Sequence, residues 1–177
     1  MKKLFLAGSG GQGIMLMGQM VTYAAMHDDL EVTYLPSYGP EMRGGTANCT
    51  VVVSPRPVNC PLIYEADFVV AMNLPSMLQF EPFVRSGGTM FLNTSMMEER
   101  PTRTDIEVVE VPANAIAEEL GNGHAANMVM LGEIVRKTGI VSPESLEQVM
   151  AEKAFTGKKA KLLELNIKAF RWTGEQH

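Results

Sequence analysis

The chain begins with an apolar run, Lys3 to Ala7, that stops at a glycine-rich stretch; beyond it Ile14, Met17, Gly18, Val21, Ala24 and Ala25 recur three and four residues apart. A short apolar run suits a buried strand and the second spacing one face of a helix, so the pattern predicts strand, tight loop and helix. Glu31 to Leu35 reads as a second strand, completing a βαβ unit with a right-handed crossover that would begin a parallel sheet. Cys49–Val53, Asp67–Met72 and Thr89–Leu92 are β-branched or apolar runs fit for buried strands, and Ile106–Val111 alternates like a more exposed edge strand. Between them a helix is predicted from about Pro75 to Arg85, ended by Gly87 and Gly88, and another from Pro112 to about Leu120. Three helices then close the chain: Ala125–Lys137 with Met128, Leu131, Gly132 and Val135 on one face, Ser142–Lys153 capped by Ser142 with Pro143 behind it, and Lys158–Trp172. Gly139 stands where the first of these would want a C-terminal glycine. The expected fold is one three-layer α/β/α domain over residues 1–177, with a mainly parallel, Rossmann-like sheet and C-terminal helices.

Composition agrees with that picture and removes some functions. A chain of 177 residues that is 46% hydrophobic can enclose one ordinary core. A net charge of −5, with Lys and Arg scattered, provides no basic field for a nucleic-acid backbone. The run Leu4–Ala7 is broken by Gly8 before a signal-peptide core is complete, and no segment approaches the roughly 20 apolar residues of a membrane span, so a cytoplasmic protein is expected. Cys49 and Cys60 are read as two free, buried thiols in a reducing compartment rather than as a disulfide. Two cysteines do not make the set of four that holds an iron–sulfur cluster.

The candidate chemistry lies in two loops. Gly8-Ser9-Gly10-Gly11-Gln12-Gly13 sits between a predicted strand and a predicted helix, where glycines permit a tight turn and let an anion reach the free N–H groups and positive dipole end of the helix. A dinucleotide site would also want an acidic residue at the end of the second strand. That strand ends Tyr34-Leu35-Pro36, with Glu31 at its start and Asp28 and Asp29 in the turn before it, so ordinary NAD(P) binding is disfavoured. A phosphate-bearing ligand remains, alongside the plainer reading that the glycines only allow close packing; Gln12 speaks against the plainer one, since packing needs no amide there.

The second loop, Pro36 to Thr46, reads PSYGPEMRGGT. In a parallel sheet it leaves the same edge as the glycine loop, so the two should be neighbours. Tyr38 can stack and hydrogen-bond, Glu41 and Arg43 can pair with each other or with outside groups, and Gly44-Gly45 permits close backbone approach. A solvated loop is the bland alternative, but ordered loops of this length and composition are uncommon unless they bind something.

Elsewhere the signals favour structure. His27, His124 and His177 lack metal-site spacing; Asn122, His124 and Asn127 suit helix capping better than ligand contact; and the fourteen methionines, Met17, Met20 and Met128 among them, suit core filling. Ser9, Ser37 and Ser95 have no histidine close in sequence to make a nucleophile, and no catalytic residue is assigned.

GSGGQG at 8–13, PSYGPEMRGGT at 36–46 and GNGHAANMVMLGE at 121–133, in this order and spacing, resemble the gamma subunit or gamma domain of the 2-oxoacid:ferredoxin oxidoreductases, over a span from Leu4 to about Phe170. The resemblance implies membership of a complex that converts a 2-oxoacid, coenzyme A and oxidised ferredoxin into acyl-coenzyme A, carbon dioxide and reduced ferredoxin. It implies that thiamine diphosphate lies between alpha and beta partner chains, with the iron–sulfur clusters in beta or a ferredoxin-like delta chain. This chain would pack against those partners and help bind coenzyme A, through Gly8, Gly10, Gly11, Gln12 and Gly13 and through Ser37, Tyr38, Gly39, Pro40, Glu41, Arg43, Gly44 and Gly45. A thiamine-type GDG motif is missing, since Gly121-Asn122-Gly123 follows a predicted helix. Which 2-oxoacid is used is left open, because pyruvate, 2-oxoglutarate, branched-chain oxoacid and indolepyruvate enzymes all have related gamma chains.

Overall fold

The computed structural model describes residues 1–38 and 45–174, with the backbone alone at Tyr38. The predicted opening is present: β1 (Lys2–Ser9), α1 (Ile14–His27) and β2 (Glu31–Tyr38) follow in turn. Then come β3 (Thr46–Ser54), β4 (Ala66–Ala71), α2 (Leu74–Phe80), β5 (Val84–Asn93), β6 (Glu107–Val111) and α3 (Ala113–Glu119). The chain closes on α4 (Ala126–Thr138), α5 (Pro143–Val149) and α6 (Leu163–Phe170).

The six strands form one sheet in the order β2-β3-β1-β4-β5-β6. From β1 through β4 and β5 to β6 the pairing is parallel, as expected. On the other side the expectation of a plain parallel βαβ start is corrected: β2 turns back as a hairpin into β3, which inserts antiparallel between β1 and β2. β1 and β2 therefore run the same way without touching. The hairpin also shortens the second loop, because both strands reach into the segment 36–46: Ser37 pairs with Asn48 and Tyr38 with Ala47.

The strands alternate between two packing faces, as the two-residue period of a sheet requires. Leu4, Leu6, Val70, Met72 and Phe91 point to one side, where α1, α3, α4, α5 and α6 cover them; Met17, Met20 and Met128 are buried there as core, as predicted. Phe5, Ala7, Val69, Ala71, Met90 and Leu92 point to the other, which α2 covers through Met77. The Phe5 ring meets Phe80 and Phe83 at centroid separations of 4.6 and 4.8 Å, which seals this thinner layer.

Three helix boundaries differ from the sequence reading. α2 stops at Phe80 and gives way to a 3-10 turn at Glu81–Phe83, where Pro82 has no N–H to continue an α-helix; Gly87 and Gly88 lie inside β5 rather than ending a helix. The helix predicted over Ser142–Lys153 is α-helical only to Val149 and loosens into a π turn at Met150–Ala154. That predicted over Lys158–Trp172 begins as a 3-10 turn at Gly157–Leu162. Ser142 caps α5, its hydroxyl accepting from Ser145 N at 3.2 Å, and Gly139 ends α4 at φ 55°.

Candidate functional site

Parallel strands bring the ends of β1, β4, β5 and β6 to one edge, and the chain leaves β1 toward β2 on one side while β4, β5 and β6 extend on the other. The gap between β1 and β4 is thus the switch point of the sheet, where open α/β sheets receive ligands. The glycine loop occupies it. Gly11 and Gly13 hold φ of 91° and 76°, the left-handed region that suits glycine, and Gly13 stands at the N-cap of α1 with no side chain capping the helix. Among the described residues a Cβ on Gly11 would meet no atom within 4 Å, whereas one on Gly13 would come to 2.3 Å from Asn127 Nδ2. Gly8 lies in β1, where a Cβ would fall 2.7 Å from Gln12 Oε1.

Gln12, which also lines the cavity described below, is held on both sides of its amide. Its Oε1 accepts from Ser9 N at 2.8 Å, Ser9 Oγ at 3.0 Å and Asn73 Nδ2 at 3.0 Å, while its Nε2 donates to Met72 O at 3.1 Å. The side chain ties the loop after β1 to the end of β4, and its amide works as an internal staple. The same edge carries a second amide link. Asn93, fully buried at the end of β5, donates to Met72 O at 3.3 Å and Asn114 Oδ1 at 2.8 Å and accepts from Ala113 N at 3.2 Å, which fixes the start of α3.

The two candidate loops are neighbours as expected: Gly10 N donates to Gly45 O at 3.1 Å, and Ser9 pairs with Thr46. Ser37 lies two strands away from β1, exposed on the edge strand. Gly39, Pro40, Glu41, Arg43, Gly44 and the Tyr38 side chain lie outside the described residues, as does His177.

Beside the glycine loop is a cavity of about 190 Å³. Gly11, Gln12, Gly13 and Met72 line it from the sheet side. Across from them are Asn114 at the start of α3 and Gly123, His124 and Asn127 at the start of α4. The sequence reading weighed Asn122, His124 and Asn127 as caps in preference to ligand contacts at the sheet edge. For Asn122 that holds, since its Oδ1 accepts from His124 N at 3.2 Å; His124 and Asn127 instead border the cavity. Asn114 was missed, because nothing in its spacing announces a site; only the sheet order brings the start of α3 beside the glycine loop.

The acidic residues weighed for a ribose sit elsewhere. Glu31 opens β2 at the opposite edge of the sheet, and Asp28 accepts from Ser142 N, Ser142 Oγ and Ser145 Oγ at 2.6, 2.7 and 2.5 Å. Cys49 and Cys60 are both free; Cys49 is buried in β3, and Cys60, against expectation, is exposed in the stretch between β3 and β4. Among the described residues no helix is long and apolar enough to cross a membrane.

A sheet with a glycine loop at its switch point, facing a second helix start, defines an open, mainly parallel α/β domain, a class whose ligands are generally received at the carboxyl edge. The family model for pyruvate ferredoxin/flavodoxin oxidoreductase matches residues 3–175. The chain is 37% identical over 165 residues to ketoisovalerate oxidoreductase subunit VorA of Methanothermobacter marburgensis, covering 92% of this chain but only 34% of that one. Its fold matches the gamma subunit of a keto/oxoacid ferredoxin oxidoreductase from Geobacter sulfurreducens, with a TM-score of 0.82 and 26% identity over 97% of this chain and 95% of that one. It also matches a 2-oxoglutarate:ferredoxin oxidoreductase from Magnetococcus marinus, solved with 2-oxoglutarate, coenzyme A and succinyl-CoA bound, with a TM-score of 0.87 and 24% identity over 96% of this chain and 29% of that one. The chain belongs to the pyruvate ferredoxin/flavodoxin oxidoreductase family, as its gamma type. It spans about a third of the length of the methanogen and Magnetococcus chains and nearly all of the Geobacter one.

Proposed function

We propose that this chain serves a cytoplasmic 2-oxoacid:ferredoxin oxidoreductase as a subunit without redox centres, packing against alpha and beta chains, and in some assemblies a ferredoxin-like delta chain, and lending its carboxyl edge to coenzyme A. The observation that carries the reading is the glycine loop at the switch point, with no atom of the described residues near the side of Gly11 and the start of α1 uncapped by any of their side chains. Such an edge suits a phosphate: backbone N–H groups and the positive end of the helix accept negative charge without a cationic side chain. By holding the anionic part of coenzyme A, the chain would direct the thiol toward a reaction centre supplied by its partners. Thiamine diphosphate, bound there, supplies the decarboxylation chemistry. Iron–sulfur ligation does not fit this chain, whose two thiols lie apart, one buried and one exposed, short of a four-cysteine set. Glu41 and Arg43 are proposed to contact a partner chain.

The test is Gly11→Val in the assembled enzyme, with the complex first shown intact. A side chain there adds backbone strain, given φ 91°, but meets no atom of the described residues within 4 Å. The KM for coenzyme A should rise far more than that for the 2-oxoacid. If both change alike, or if the coenzyme A dependence does not move, the glycine loop is serving packing alone.

A further inference from the structure

Away from the carboxyl edge, the end of the helical layer carries a charge opposite to that of the rest of the molecule. In a chain of net charge −5, the stretch 153–171 holds six cations, Lys153, Lys158, Lys159, Lys161, Lys168 and Arg171, against one acid, Glu164, so it is net +5. Arg171 is matched by Glu147, to which it donates twice at 2.6 Å, and Lys153 Nζ stands 4.6 Å from the centroid of the Tyr23 ring. Glu152, at the border, accepts from Gln148 Nε2 at 2.8 Å. The other four, Lys158, Lys159 and Lys161 in the 3-10 turn and Lys168 on α6, are exposed. Among the described residues they form no ion pair. Along this stretch runs a groove of about 620 Å³ lined by Ala160, Leu163, Glu164, Ile167, Lys168 and Arg171. Their spacing of three and four makes one helical stripe, while Asn166, Ala169 and Phe170 are buried on the other side. At the π turn Met150–Ala154 a second groove, of about 350 Å³, opens between Lys153 and Ala154 and the Leu16, Gln19 and Tyr23 face of α1. Met26, one turn beyond Tyr23, is exposed.

We infer that this surface docks an acidic segment of a partner subunit, with carboxylates on the four lysines and apolar side chains in the two grooves. The inference rests on the reading that this chain packs against partner chains, and it adds where one of them sits and by what chemistry. Unpaired lysines around a concave, partly apolar floor complement a partner that brings carboxylates and projecting apolar groups. A nucleic-acid backbone fits less well, because Glu164 stands in the larger groove and the molecule as a whole repels phosphate. A membrane surface fits less well too. No large apolar side chain between 153 and 171 is exposed, so nothing there would enter the headgroup boundary.

The test combines Lys158→Glu, Lys159→Glu, Lys161→Glu and Lys168→Glu in the full chain and follows its association with the remaining subunits at low and high salt. These side chains are exposed, so the circular dichroism of the variant should match that of the wild type. Its association should be roughly tenfold slower or more at low ionic strength, and the difference should fade as salt screens the wild-type charges. Lys158→Arg, Lys159→Arg, Lys161→Arg and Lys168→Arg together should keep the wild-type rate. Carbodiimide coupling of the assembled wild-type enzyme, read by peptide mass spectrometry, identifies the occupant. Amide links from these lysines to Asp or Glu of a partner subunit are expected. Links only to a second copy of this chain overturn the inference, as does an absence of links together with lysine-dependent binding of phosphatidylserine vesicles or a DNA duplex. A charge-reversed chain that associates with the wild-type rate and salt dependence also overturns it, and leaves the assembly reading standing. If the wild-type chain itself does not associate with the other subunits, that reading falls and the inference with it.

Discussion

The two thiols of this chain sit in opposite surroundings. Cys49 packs inside β3 under α1, its Sγ directed at Ile14 O at 3.7 Å, and burial pushes its pKa up to about 12, so at neutral pH it remains a protonated, inert thiol. Cys60 is exposed. A water-soluble thiol reagent near pH 8 should therefore label one cysteine quickly in the native chain and two in urea, and Cys60→Ser should abolish the fast reaction. Fast labelling of both in the native state would mean that the core around α1 and β3 is looser than described. Residue type alone did not separate the two cysteines, because exposure is decided by the segment that carries them: a central strand for one, an irregular connection for the other. Gln12 teaches the same lesson in reverse. Its position in the glycine loop suggested a ligand contact, which its place on the cavity wall leaves standing; what the sequence did not show is that Ser9, Met72 and Asn73, up to 61 residues away, also hold it, since spacing cannot show that such partners converge.

Between elements, Asp28 joins the end of α1 to the start of α5 through Ser142 and Ser145. Burial opposes its ionisation, but the hydrogen bonds from Ser145 Oγ, Ser142 N and Ser142 Oγ, with the neighbouring charge of His27, outweigh it and hold the carboxyl below its ordinary 3.8. A carboxyl lowered by folding adds stability above its unfolded value, and that contribution is lost as pH falls through the lower, folded value. Asp28→Asn should thus cost about 1–3 kcal/mol at pH 7, the usual range for hydrogen bonds to a charged group. The gap between variant and wild type in urea unfolding should shrink as pH is taken below about 4. A gap unchanged with pH would assign the link to packing rather than to charge. The strands of this fold were legible in their apolar runs, and the caps Ser142 and Gly139 in their residue types. The insertion of β3 was not, since a buried strand looks the same whichever direction its neighbour runs. Nor was the end of α2, where the glycine pair drew attention away from Pro82.

For the whole molecule, the thick helical layer on one face and the thin α2 layer on the other leave the carboxyl edge as the place where independent segments of the chain meet: the glycine loop, the start of α3 and the start of α4. Half of that edge was legible. The glycine loop and its nearness to the second loop followed from the βα pattern, and Asn127 was weighed there between capping and ligand contact, whereas Asn114 became visible only once the sheet order placed the start of α3 across from Gly11 and Gly13. The most direct test of the account is hydrogen exchange by mass spectrometry on the assembled oxidoreductase, with and without saturating coenzyme A. Backbone amides in Gly10–Met15 and Gly123–Met128 should exchange more slowly when coenzyme A is bound, because their N–H groups and helix starts would lie against its phosphates. Bound coenzyme A that leaves both segments at their free rates, with protection confined to the partner chains, would contradict the assignment.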